Sequence, residues 1–491
     1  MTVKRKISRR DFVKASVVVA GAAVCPLFIS SEAFGANDRL RGAVLGVGGR
    51  GNHHVQAFSK IDGVDIVGTV DADLNRANSA AKWVKEKIGK DCVAVQDARK
   101  IFDDKNIDFV SIATCNHWHS LLGIWAAQAG KHVYVEKPCS QNLFEGCQLA
   151  AAMRKYNVCI QHGTQRRCDF GIKKGAVAWA KGMFGKPIAV KAFANRPRNP
   201  MPFLPDAPVP QNIDWDLWVG PAAMVPFSER YVPYNWHWYW NFGNGEIGNN
   251  GVHYFDVCRI GLTQLFPDLK FPQNVVFFGT RTVIDKEHNY KDAAETPTVM
   301  LGICDFNGIP LIFQSCNLRN RNNEKWNPRE VGWFVTEDGY IQGSTFHSNS
   351  GKTEPVNIDI EALNPGDIFQ NFINCVRDNT PDKLNAPITE GHFSAGICHL
   401  GNVSYRSGST SALSACREAV GNNPIMQQTI DETLENVQFC LPELDLNKDV
   451  SWTLGKKISI NNNTFQIDGM PDANALLTRP QRAPFIVPKI E

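Results

Sequence analysis

Apolar and polar positions along the first third of the chain switch repeatedly between a strand period and a helix period. A short apolar run, Ala43-Val44-Leu45, meets the glycine-rich Gly46-Val47-Gly48-Gly49-Arg50-Gly51. A polar stretch of helical character follows, and a second β-branched run over 64–70 ends at Asp71. The alternation continues through a predicted helix at 74–88, strands at 92–95 and 108–114, a helix at 120–129 stopped by Gly130, a strand at 132–135, a helix at 143–156 and a strand at 158–161. Buried apolar strands separated by helices predict an α/β Rossmann domain with a doubly wound parallel sheet, assigned to residues 37–165.

Beyond Arg166 the pattern changes to longer extended runs, at 187–195, 274–279, 299–305, 310–315 and 332–335, with helical spacing at 251–260, 368–377 and 392–406. Few helices separate the strands, so residues 166–440 read as an α+β domain with an open, mainly antiparallel sheet. The proline-rich stretch 196–210 reads as a surface linker, and 441–491 as an irregular tail free to wrap either domain. His392, His399, Asn402 and Tyr405 read as polar positions of a buried helix.

The N-terminus carries an address. Lys4 to Lys14 reads KRKISRRDFVK with paired Arg9-Arg10; an apolar stretch and a small-residue exit near Ala36 follow. This is the pattern of a twin-arginine signal over residues 1–36, which predicts export to the periplasm and no stable membrane span in the mature protein. The net charge of +3, with no basic tract, gives no reason to expect nucleic acid. Most of the 14 cysteines lie inside apolar runs, where Cys acts as a small hydrophobe. Without CxxC or His/Cys clusters at zinc spacing, no metal centre is expected.

The glycine stretch has the chemistry of a dinucleotide site. Gly46 permits the tight turn, Gly48 lets the backbone approach a pyrophosphate, and Gly51 lets the helix start sit close to the sheet with its N–H groups facing the anion. Asp71, twenty residues beyond Gly51, can accept from a ribose diol and repel a 2′-phosphate, favouring NAD; Arg76 keeps NADP open. At Glu136-Lys137-Pro138 a buried strand ends where open parallel sheets place their ligands. An ammonium there can donate to a substrate hydroxyl as hydride leaves the same carbon.

With Thr114-Cys115-Asn116-His117-Trp118-His119 after the fourth strand, these features resemble the glucose-fructose oxidoreductase, inositol dehydrogenase and rhizopine-catabolism (Gfo/Idh/MocA) family. The resemblance implies that Lys137 contacts the reacting hydroxyl and that His253 serves as acid/base, with Asn249 standing where many members have Asp. On a helix Asn249 and His253 would share a face. Since Asn carries no charge, any raising of the imidazole's basicity would have to come from elsewhere, with Asp256 the candidate.

The cofactor is expected along Gly46, Gly48, Gly49, Arg50, Gly51, Asp71, Thr114, Asn116, His119, Glu136, Lys137, Gln165 and Arg166. His117 reads as a cap of its turn, and Arg167 as surface charge or a ligand contact. The aromatic stretch 231–242, YVPYNWHWYWNF, could be a carbohydrate platform through Trp236, Trp238 and Tyr239, core under the sheet, or an oligomer contact. The family also implies homo-oligomers.

Export bears on mechanism. Free NAD is not expected outside the cytoplasm, so the cofactor would travel bound and be recycled in place. Three readings follow. One is a sugar oxidoreductase returning hydride to a second carbonyl; another is a redox-neutral glycosidase or lyase working through a 3-keto sugar. The third is a non-catalytic nucleotide-binding protein, against which the joint presence of Lys137 and His253 argues.

Overall fold

The computed structural model describes residues 39–319, 330–364 and 366–490. The stretch read as an export signal lies outside the described residues. Six strands run parallel: β1 (Leu40–Leu45), β2 (Val64–Val70), β3 (Val93–Val95), β4 (Phe109–Ile112), β5 (His132–Val135) and β6 (Ile160–His162), ordered β3-β2-β1-β4-β5-β6. Nearly every residue of β1, β2, β4 and β5 is buried, which is why they read as continuous apolar runs. The strand order reverses between β1 and β4, and a crevice opens there beyond the carboxyl ends of the strands.

Caps fix the helices that follow. Asp73 accepts from the Asn75 N–H at the start of helix Leu74–Ile88, which Gly89 ends in the left-handed region. Asn142 accepts from the Glu145 N–H at the start of helix Leu143–Tyr156. Helix Asn116–Gln128 begins earlier than its apolar spacing suggests, because its first turn, Asn116 to His119, is polar yet buried.

The second sheet has ten strands: β7 (Pro187–Ala194), β8 (Asn274–Thr280), β9 (Val299–Phe306), β10 (Ile309–Cys316), β11 (Glu330–Thr336), β12 (Gly339–Gln342), β13 (Thr345–Ser348), β14 (Thr353–Pro355), β15 (Ser409–Ser411) and β16 (Trp452–Leu454). Their order is β14-β13-β12-β11-β7-β10-β9-β8-β16-β15. Only the β7–β10 pair is parallel, so the mixed sheet is mainly antiparallel. One face packs on helix Val252–Leu265, where Phe255 stacks on Phe313 of β10 at 4.9 Å. The opposite face of β8 to β10 is covered by helices Leu413–Ala419 and Pro424–Cys440 through Val276, Phe278, Leu301 and Ile312 against Leu413, Met426, Ile430 and Val437. Burying each such side chain contributes about 1.5–3 kcal/mol.

Several expectations are corrected. Helix Phe170–Ala180, the two covering helices and the β12–β14 ribbon were not legible; the ribbon strands are short and partly exposed, so they leave little hydrophobic period. The 196–210 stretch is irregular and mostly at the surface, as expected, but is pinned at one end, where Arg198 donates twice to Glu246 at 3.1 Å and Met201 is buried. The tail is largely irregular but anchored. It adds β16 to the sheet, and its Arg479 pairs with Glu145 at 2.8 Å and donates to the His117 carbonyl at 2.9 Å. Among the described residues every cysteine is a free thiol, and most are buried.

Candidate functional site

A cleft of about 950 Å³ opens at the reversal point, lined by Gly46, Gly48, Gly49, Arg50, Asp71, Thr114, Asn116, His119, Glu136, Lys137, Gln165, Asn249 and His253. The glycine turn fits a pyrophosphate cradle. Gly46 has φ +80°, and a Cβ there would lie 2.6 Å from the Thr114 nitrogen. Gly51 does not line the cleft; it seats helix Gly49–Ser59, since a Cβ on it would lie 1.7 Å from the Gly46 oxygen.

At the end of β2, one Asp71 oxygen accepts the Val47 N–H and the other the Asp73 N–H, each at 3.0 Å. This aims the carboxylate into the cleft with lone pairs left for a diol. Burial raises its pKa, partly opposed by the backbone donors. Arg76 pairs with Asp73 at 3.3 Å and also borders the cleft.

At the other end β5 delivers Glu136 and Lys137. Glu136 is buried and accepts from the guanidinium of Arg50 at 2.7 Å and the amide of Gln165 at 3.3 Å, and lies 3.1 Å from the imidazole of His54. Burial opposes its ionisation, but His54, Arg50 and Lys137 outweigh it and hold the carboxyl well below the usual range. Lys137 Nζ donates to the Asn249 carbonyl at 2.7 Å and reaches its side-chain oxygen at 3.3 Å. Burial lowers the ammonium pKa, while Glu136 and Glu246 oppose that shift.

Asn249 and His253 do not share a regular helical face as expected. Asn249 sits in a π-helical turn, Ile247–Gly251, and the α-helix Val252–Leu265 begins beyond it. Such widened turns re-aim side chains; here both residues reach the cleft. His253 Nδ1 is buried without a partner, and burial with Lys137 nearby drives its pKa well below 6.5, so the ring is neutral. Asp256 does not tune it: that carboxylate is taken by Arg167 at 2.9 Å and Ser394 at 2.7 Å.

Other expected ligand residues are placed differently. Arg167 is neither surface charge nor a cleft residue, but joins Asp256 to Glu390. Arg166 stacks over Tyr254, 5.0 Å from its ring centre, away from the cleft wall. His119 lies between the Pro138 carbonyl, 2.6 Å from Nδ1, and the Thr114 carbonyl, 3.0 Å from Nε2; burial lowers its pKa, so the neutral ring donates to one of the two cofactor loops it packs between. His117 lies 2.9 Å from the Trp218 carbonyl.

Of the aromatic stretch, Trp236 lines the cleft, while Trp238 and Tyr239 are buried behind it. Arg198 stacks over Trp238 at 5.0 Å. Tyr234 and His237 join the wall instead. His237 stacks on Trp236 at 3.6 Å, and its Nδ1 lies 2.7 Å from the Tyr234 carbonyl. The ring is neutral, its pKa well below 6.5 through burial, so Nδ1–H donates and Nε2 is left as an acceptor. Sequence reasoning singled out neither His237 nor His54. His237 lay within the quoted aromatic stretch as an unmarked polar position, and His54 follows the glycine turn on helix Gly49–Ser59.

Comparison with known proteins agrees with this geometry. Residues 40–164 match the model described as "Oxidoreductase family, NAD-binding Rossmann fold", and residues 199–282 that family's "C-terminal alpha/beta domain". The chain is 31% identical over 161 residues to myo-inositol 2-dehydrogenase of Thermotoga maritima, covering 33% of this chain and 47% of that protein. It is 31% identical over 179 residues to a glycosyl hydrolase family 109 protein of Solibacter usitatus, covering 33% and 38%. The matches thus span less than half the length of these relatives. The WlbA dehydrogenase of Bordetella pertussis, solved with NADH and UDP-GlcNAcA, shares the fold at a TM-score of 0.51 and 18% identity, over 73% of this chain and 93% of that one. Residues 40–164 and 199–282 are thus similar to the two domains of the Gfo/Idh/MocA oxidoreductase family, its NAD-binding Rossmann fold and its C-terminal alpha/beta domain.

Proposed function

We propose that the protein is an exported oxidoreductase acting on a hydroxyl of a sugar or sugar derivative, with its NAD held and recycled in place. The observation that carries this reading is the meeting of Lys137, Asn249 and His253 at the cleft end opposite Asp71. Gly46, Gly48, Gly49 and Asp71 would hold NAD, which when bound would supply the hydride acceptor. As the carbinol C–H is lost as hydride, the hydroxyl proton passes to the neutral His253 ring and a C=O forms. The Lys137 ammonium donates to the oxygen and stabilises its developing negative charge. Trp236 and Tyr234 offer faces for the C–H side of a ring. Relatives named for inositol and apiose dehydrogenases support a polyol or sugar substrate. The doubled arginines at Arg9-Arg10 support export to the periplasm, and the resemblance supports pairing into oligomers.

A second reading is favoured by His237. Its free Nε2 gives the cleft a second neutral imidazole, able to take the proton from carbon next to a transient 3-keto group so that a glycosidic leaving group departs. Relatives bearing the family 109 glycosyl hydrolase name support it. Incubation of NAD-loaded protein with p-nitrophenyl glycosides and with free sugars separates the readings. Reduced-cofactor absorbance without nitrophenol supports oxidation, nitrophenol release supports elimination, and silence in both contradicts a catalytic role.

A further inference from the structure

We propose that Ile213, Trp218 and Phe485, held down through Asn212, form a fixed roof over the adenosine end of the cleft, which binds the adenine and blocks exchange of the coenzyme between turnovers. The inference rests on NAD occupying the cleft as read above, with its ribose at Asp71 and its adenine toward the loop after β3. The first domain supplies the floor of that end, through Asp71, Asp97 and Ala98. Ile213, Leu217, Trp218 and Phe485, which line the same cleft, come from elsewhere in the chain.

The roof is stitched down by named bonds. Ile213 forms a β-bridge with Asp73. The Leu74 N–H donates to the Asn212 carbonyl and the Asp214 N–H to the Ala72 carbonyl, both at 2.9 Å. The Asn212 amide donates to Asp73 at 2.7 Å, and the Gln96 amide to the Ala72 carbonyl at 2.9 Å and to Asn212 at 3.3 Å. A second strap crosses from the tail. Arg482 donates to the Gly220 carbonyl at 3.1 Å and the Asp216 carbonyl at 2.8 Å. It thereby seats Phe485, 1% exposed, edge-on to Trp118 at 5.3 Å. The first strap ties the loop carrying Asp73 to residues 212–214, and the second ties the helix that follows them, through Asp216 and Gly220, to the tail. A dinucleotide can leave that end only when several hydrogen bonds and a buried ring are given up together, which makes dissociation slow.

The test uses the full chain loaded with NAD and chased with excess isotopically labelled NAD, the bound nucleotide being read by mass spectrometry after desalting. Wild-type protein is expected to keep its original nucleotide far longer than one turnover. Phe485→Ala and, independently, Asn212→Ala are expected to exchange about tenfold faster or more, with Phe485→Leu close to wild type. Wild-type exchange within the mixing time, or wild-type rates in both alanine variants, would overturn the roof. Retention without any sugar oxidation would sink the functional reading and leave the roof standing. Oxidation accompanied by free exchange would overturn the roof, and with it recycling in place, while leaving sugar oxidation at Lys137 and His253 standing.

Discussion

The ammonium of Lys137 sits between a buried carboxylate that draws positive charge toward it and an uncharged imidazole that can receive a proton. Lys137→Ala is therefore expected to keep NAD bound while lowering turnover by about 10²–10⁴-fold; wild-type rates in that variant would remove the lysine from the reaction. The pH profile follows from the two shifts. His253 must be neutral to accept a proton, and its pKa is pressed below 6.5, so the acid limb should lie below the ordinary histidine range. Lys137 must be charged, and its pKa is lowered from 10.5, so the alkaline limb should begin before ordinary lysines titrate. Measuring kcat/KM against pH checks both signs; an acid limb at or above 6.5 contradicts the buried neutral ring. Lys137, Asp71 and His253 were legible because each belongs to a local motif. His54 was not: its bond to Glu136 spans 82 residues of sequence, and no local spacing announces such a pairing.

At the scale of elements, the glycine turn and the π-helical turn do most of the positioning. Gly51→Ala would push a methyl into the Gly46 carbonyl, lifting helix Gly49–Ser59 off the sheet. The expected result is a loss of about 1–3 kcal/mol or more of stability together with weakened NAD binding, both readable by chemical denaturation with and without NAD. A stable variant with full NAD affinity would contradict this packing. The first sheet was legible almost element by element, since buried parallel strands and amphipathic helices leave strong periods. The π turn was not, because Gly245 to Gly251 carries no periodic signal and its winding is decided by contacts made elsewhere. Among these is Glu246, held by Arg198. The aromatic stretch shows the same limit. Composition marked Trp236, Trp238 and Tyr239 alike, whereas the 3₁₀ turn Asn235–Trp238 decides which rings face the cleft.

Over the whole molecule, helix Ile388–Arg406 joins the two sheets through polar contacts. His399 lies 2.8 Å from Ser140, and His392 lies 3.4 Å from Cys147 of the first domain. His117, His162, His392 and His399 all have pKa values pressed down to about 3 by burial. Their folded values lie below the unfolded one, so the unfolded chain binds protons first. The neutral rings cost nothing above about 6.5, and stability drains away as pH falls from there toward about 3, by up to about 1.4 kcal/mol per pH unit for each ring. Urea midpoints that stay level between neutral pH and pH about 4 would contradict this.

The central claim is that Lys137, His253 and a bound nicotinamide act on one carbinol carbon. Sugars carrying deuterium on that carbon, mixed with NAD-loaded protein and quenched, test it directly by mass spectrometry of the extracted cofactor. The account predicts deuterium in the reduced cofactor from wild-type protein and labelling about 10²–10⁴-fold slower from Lys137→Ala. Sugar consumed by the wild type with no label in the cofactor, or equal labelling in both proteins, would contradict it.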